Sequence, residues 1–115
     1  MSEQLTPEAR EKLENLQTFQ SKAQQVTVQN HHTEAQLSEN KSALSILSKT
    51  EKDAILYRHT GNLLIETDHK SAETDLNQRI EALEVRLQTL NKQSERIQKQ
   101  FETLQKEIQE LLNIS

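Results

Sequence analysis

A chain of 115 residues with 32% hydrophobic, 3% aromatic and 28% charged side chains holds too little apolar material for an ordinary globular core, although its length suggests a single domain over residues 1–115. The formal charge of −4 argues against nucleic acid as the main partner, and the absence of cysteine excludes disulfides, thiolate metal sites and cysteine nucleophiles. With one proline and one glycine the composition is not that of a disordered chain either; abundant Glu, Gln, Lys, Leu and Ala favour long helices.

The first helix is expected over about 6–48. Thr6 is a good N-cap, Pro7 suits the first helical position, and Glu8 complements the helix dipole. Apolar or small residues recur at Ala9, Leu13, Leu16, Phe19, Ala23, Val26, Leu37, Leu44 and Leu47, with Leu5 just ahead of the cap. Asn30 and Thr33 occupy seam positions in the middle, where the stripe is weak. The polar run from Ser48 to Asp53 ends the helix.

Residues 54–67 change the pattern. β-Branched and aromatic residues crowd two short runs around Gly61, which predicts a β-hairpin: strands near 54–59 and 62–67, with a turn through Thr60 and Gly61. Pairing Tyr57 with Leu64 and Leu56 with Ile65 puts Ile55, Tyr57 and Leu64 on one face and Leu56, Leu63 and Ile65 on the other. A lone hairpin that is apolar on both faces and open at both edges invites pairing with other strands. These residues, with Gly61 at the turn, are the candidate assembly element.

Asp68 to Ser71 reads as a connector, with Ser71 the expected N-cap of a second helix over about 71–112. There Leu76, Ile80, Leu83, Leu87, Leu90, Ser94, Ile97, Phe101, Leu104, Ile108 and Leu111 follow alternating spacings of four and three, interrupted only by Ser94. Five heptads with charged flanks are a specific coiled-coil signal. Folding back at the hairpin makes the helices antiparallel, so paired positions share a constant index sum. A sum of about 120 brings Leu44 to Leu76, Leu37 to Leu83, Asn30 to Leu90, Phe19 to Phe101, Leu16 to Leu104 and Ala9 to Leu111. Phe19 and Phe101 are expected to pack on each other. The expected object is a two-helix coiled-coil arm about 60 Å long, with the hairpin at its bend and both termini at its tip.

Enzymatic chemistry finds no support. One glycine rules out the common phosphate-cradling loops. His31 and His32 point about 100° apart on a helix and read, with Glu34, as a solvated surface; His59 and His69 likewise read as exposed. No nucleophile, base and acid share a rigid pocket. No cofactor, metal, nucleic-acid or membrane partner is expected. Without a signal peptide or membrane-length apolar run, a cytoplasmic protein is the default. Asn40-Lys-Ser and Asn113-Ile-Ser then match the glycosylation pattern by chance.

The order helix, single hairpin, helix, with the wording Tyr57-Arg58…Gly61-Asn62-Leu63-Leu64-Ile65, resembles the β-class subunit of prefoldin over nearly the whole chain. The α-class has two hairpins per chain. The resemblance implies a hexamer of two α-class and four β-class subunits, whose hairpins build a double β-barrel platform bearing six coiled coils. Such complexes hold unfolded polypeptides between their tips without ATP and pass them to a group II chaperonin. The family places the binding surface at the helix ends, which here contain Leu13, Leu16, Phe19, Phe101, Leu104, Ile108, Leu111, Leu112 and Ile114. Leu5, Leu112 and Ile114 lie off the seam, so the ends carry more apolar side chains than one seam needs, as a promiscuous hydrophobic binder would. Many β-class chains run on into a polar tail; this sequence stops at Ser115, and no role for such a tail is expected. The alternative is a structural or adaptor coiled coil that oligomerises partners without chaperone activity, a role with no use for a strand pair apolar on both faces.

Overall fold

The computed structural model describes residues 6–112, in the order α1 (Pro7–Ser48), β1 (Leu56–Thr60), β2 (Leu63–Thr67) and α2 (His69–Leu112). Leu5, Asn113 and Ile114 lie outside the described residues. The expected class holds: two long helices of 42 and 44 residues joined by one antiparallel hairpin. The chain folds as two compact units, a terminal one (Met1–Asn30 with Thr89–Ser115) and a central one (His31–Gln88).

In the terminal unit α1 begins at the expected cap. The Thr6 hydroxyl accepts a hydrogen bond from the Ala9 backbone N–H at 3.0 Å, and the Thr6 carbonyl accepts one from Arg10 N–H. Ala9, Val26, Leu90, Leu104 and Ile108 are buried, each from the seam read in the sequence. Each valine, leucine or isoleucine side chain fully buried this way contributes roughly 1.5–3 kcal/mol. Lys12 pairs with Glu107 at 3.2 Å, and Asn30 Nδ2 donates to Asn91 Oδ1 at 2.8 Å. Both pairs fall within one residue of the antiparallel line expected from the sequence. The Asn30 amide thus finds an amide partner beside Leu90, which keeps a polar seam position hydrogen-bonded.

In the central unit Thr33, Leu37 and Leu47 are buried, and Thr33 is only 1% exposed. Lys41 approaches Glu84 at 3.8 Å, five residues off that line and within reach of two long side chains.

The hairpin differs in detail from the expected one. Its pairs are Leu56↔Thr67, Tyr57↔Glu66, Arg58↔Ile65, His59↔Leu64 and Thr60↔Leu63, two residues along from the Tyr57–Leu64 pairing. Thr60 joins the first strand, while Ala54, whose N–H donates to the Glu51 carbonyl at 3.1 Å, is held in the preceding turn. The turn residues are therefore Gly61 and Asn62. Gly61 has φ +58°, and no non-glycine among the described residues has a positive φ. Glycine first with positive φ is the pattern of a type II′ turn, whose twist matches that of the flanking strands. A two-residue shift preserves side-chain parity, so each face keeps the apolar set expected of it.

The start of α2 corrects another expectation. Asp68, not Ser71, is the N-cap: its Oδ1 accepts from the Ser71 backbone N–H at 2.8 Å and its Oδ2 from the Ser71 hydroxyl at 3.0 Å. Only Asp68 separates β2 from α2, so the cap must sit there. The Ser71 backbone N–H, and then its hydroxyl, hold the Asp68 carboxyl below its ordinary value. A depressed folded-state pKa means stability that is present above the unfolded value and lost as pH falls through the folded one. Protection of the first-turn amides of α2 in hydrogen exchange, corrected for intrinsic rates, is expected to fall on acidification through that range. In Asp68→Asn, which caps without titrating, this fall should flatten; an unchanged pH profile would remove the cap from the explanation.

Candidate functional site

The hairpin is the site where the central unit leaves most apolar surface uncovered. Directly paired residues share a face, so Leu56, Arg58, Thr60, Leu63, Ile65 and Thr67 lie on one side and Tyr57, His59, Leu64 and Glu66 on the other. Ile55, one residue ahead of β1, alternates onto the second side. Ile55 is 70% exposed, Leu64 66%, Leu63 64%, Tyr57 61% and Ile65 50%. Only Leu56 and Thr67, the pair at the hairpin's base, are half-buried. A two-stranded sheet also leaves each strand one outer edge. Five large apolar side chains are thus exposed across both faces of one small sheet, a concentration rather than scattered exposure.

Beneath the base of the hairpin lies a groove of about 400 Å³, lined by Ile46, Leu47, Leu56 and Leu76, with Arg58 and Asp75 also lining it. Ile46, which the sequence reading passed over, is 67% exposed. Its signal was available: it is apolar yet sits one position off the seam residue Leu47. His69 was read as exposed, but it is half-buried and its Nε2 lies 2.9 Å from the Leu47 carbonyl. A carbonyl can only accept, so this nitrogen carries the proton and is a second donor to a carbonyl near the C-terminal end of α1 that also accepts from the Thr50 N–H at 3.0 Å. His31 stands on an exposed helix surface, with Nδ1 4.0 Å from Glu34.

The second candidate set lies in the terminal unit. Leu104 and Ile108 are each 7% exposed and belong to the seam core. Leu13, Leu16, Phe19, Phe101 and Leu111 are half-buried. Leu112 faces outward at 49% exposure. The Lys22 ammonium stands 5.6 Å from the centroid of the Phe19 ring, in cation–π range. Among the described residues no helix is long and apolar enough to cross a membrane.

A family model described as prefoldin subunit matches residues 10–114. Over 80 residues the chain is 48% identical to prefoldin subunit beta of Halobacterium salinarum, a stretch covering 70% of this chain and 64% of that protein. It is 33% identical over 77 residues to prefoldin subunit beta of Pyrococcus furiosus, covering 67% and 66%. The crystal structure of the prefoldin beta subunit from Thermococcus strain KS-1 superposes with a TM-score of 0.87 at 29% identity, over 99% of this chain and 100% of that one.

Proposed function

This chain belongs to the prefoldin subunit family, and on that premise we propose that it is a β-class subunit of an ATP-independent chaperone. Its hairpin pairs with those of α-class subunits and further β-class copies, two α-class to four β-class chains, in an intersubunit β-barrel. The complex holds unfolded polypeptides at its helix ends and delivers them to a group II chaperonin in the cytoplasm. It works by binding, not catalysis, and needs no cofactor, membrane or nucleic acid.

The observation that carries this reading is the hairpin. Its apolar residues at 50–70% exposure on both faces need strands from other chains to cover them. Leu112 supports capture at the helix ends, since it adds outward apolar surface beyond the closed seam. The assembled complex should suppress aggregation of a refolding, aggregation-prone protein without ATP. No suppression, with the terminal leucines intact, would favour the adaptor reading, which the burial of Leu104 and Ile108 would equally suit.

A further inference from the structure

We infer that Asp75 is a positioning residue for assembly: it fixes, through Arg58, the angle at which the hairpin presents its apolar faces. The inference rests on the assembly reading above. Apolar packing alone does not set that angle. Within the hairpin only Leu56 and Thr67, at its base, are even half-buried. The groove of about 400 Å³ under the base leaves unfilled space into which the strand pair could rock. The connections are also confined to the base: Asp68 caps α2 through Ser71, and His69 ties the start of α2 to the Leu47 carbonyl.

One polar link among the described residues reaches from mid-strand to a helix. Arg58, the central residue of β1, places Nε 3.9 Å from Asp75 Oδ2 on α2. The same oxygen is held at 3.1 Å by Arg79 Nη2, one turn further along α2, and the Asp75 side chain is 29% exposed. Arg79 therefore orients the carboxylate on a rigid helix, and Arg58 on the strand completes the charge contact. Attachment at mid-strand restrains rocking better than any contact at the base, because it acts at a distance from the pivot. Arg58 shares its face with Leu63 and Ile65, so the tether acts on that side of the strand pair, while Tyr57, from the other side, also lines the groove.

The chain has no cysteine, so nitroxide pairs can be placed cleanly at Asn62→Cys and Gln78→Cys in the 115-residue chain, kept unassembled by Ile55→Asp. Pulsed dipolar spectroscopy should give a narrow distance distribution that widens in Asp75→Asn and Arg58→Gln and narrows again in Asp75→Glu. In the otherwise unlabelled, assembly-competent chain, Asp75→Asn should raise the concentration for half-assembly about two- to fivefold, the range an exposed ion pair supports, with helix content unchanged. Distributions that coincide with the parent's in both Asp75→Asn and Arg58→Gln would overturn the tether. A widened distribution with unaltered assembly would overturn the positioning role. Failure of the parent chain to assemble at all would instead count against the assembly reading, and the spectroscopic arm would still decide the tether.

Discussion

Replacing both Ile55 and Ile65 with aspartate should reduce the assembly to monomers while the helical circular dichroism stays nearly unchanged. The two positions lie on opposite faces of the hairpin, at 70% and 50% exposure, so neither supports the helix seam. In the single chain the substitutions put charges where water already reaches. In an intersubunit sheet they would bury an unpaired carboxylate on each face of every hairpin, at several kcal/mol per site. Each also forfeits roughly 1.5–3 kcal/mol of aliphatic burial. Repeated over several hairpins, that exceeds what any ordinary interface can lose. Light scattering reads the outcome directly, and an unchanged mass would remove the hairpin from assembly.

A second large effect separates packing from capture in the terminal unit. Leu104→Ala should destabilise that unit by about 2–5 kcal/mol, because the side chain is 7% exposed and its loss leaves a cavity in the seam. Leu112→Ser, at 49% exposure, should change stability by no more than about 0.5 kcal/mol. If the outward leucine contacts substrate, Leu112→Ser should still lower the amount of unfolded protein held, whereas Leu104→Ala should act on binding only as far as it loosens the helix pair. Thermal unfolding followed by helix signal, beside a capture assay with a labelled unfolded protein, distinguishes the two. Equal loss of stability in both variants would contradict the assignment of Leu104 to the core and Leu112 to the surface.

The helix seam was legible because heptad spacing encodes which side chains share a stripe, and one antiparallel alignment satisfied nearly all of them. Lys12 with Glu107 and Asn30 with Asn91 fall within one residue of that alignment, while Lys41 with Glu84 departs from it by five. The hairpin was legible from the two apolar runs about Gly61, and its faces survive a register shift of two because strand side chains alternate with period two. The pairing was set two residues off by a turn placed at Thr60 and Gly61: threonine favours strands and asparagine turns, so Gly61-Asn62 was the better two-residue turn, as the Thr60↔Leu63 pair and the positive φ at Gly61 show. Asp68 and Ser71 are both good caps; the one-residue connection chose between them. The His69 bond to Leu47 and the Arg58–Asp75 contact join residues distant in sequence, and nothing in local spacing announces them, whereas Asp75 and Arg79 are an i,i+4 helical pair that spacing alone could have offered. Periodicity also cannot say how tightly a seam closes, which is why Leu104 and Ile108 stood in the sequence reading as binding residues and stand in the structure as core.

The most direct measurement is the native mass of the product when this chain is mixed with a two-hairpin prefoldin subunit. A six-chain complex carrying four copies of this chain is the expected result. A folded monomer that persists at micromolar concentration, alone and in the mixture, would contradict the hairpin as an element that other chains must complete.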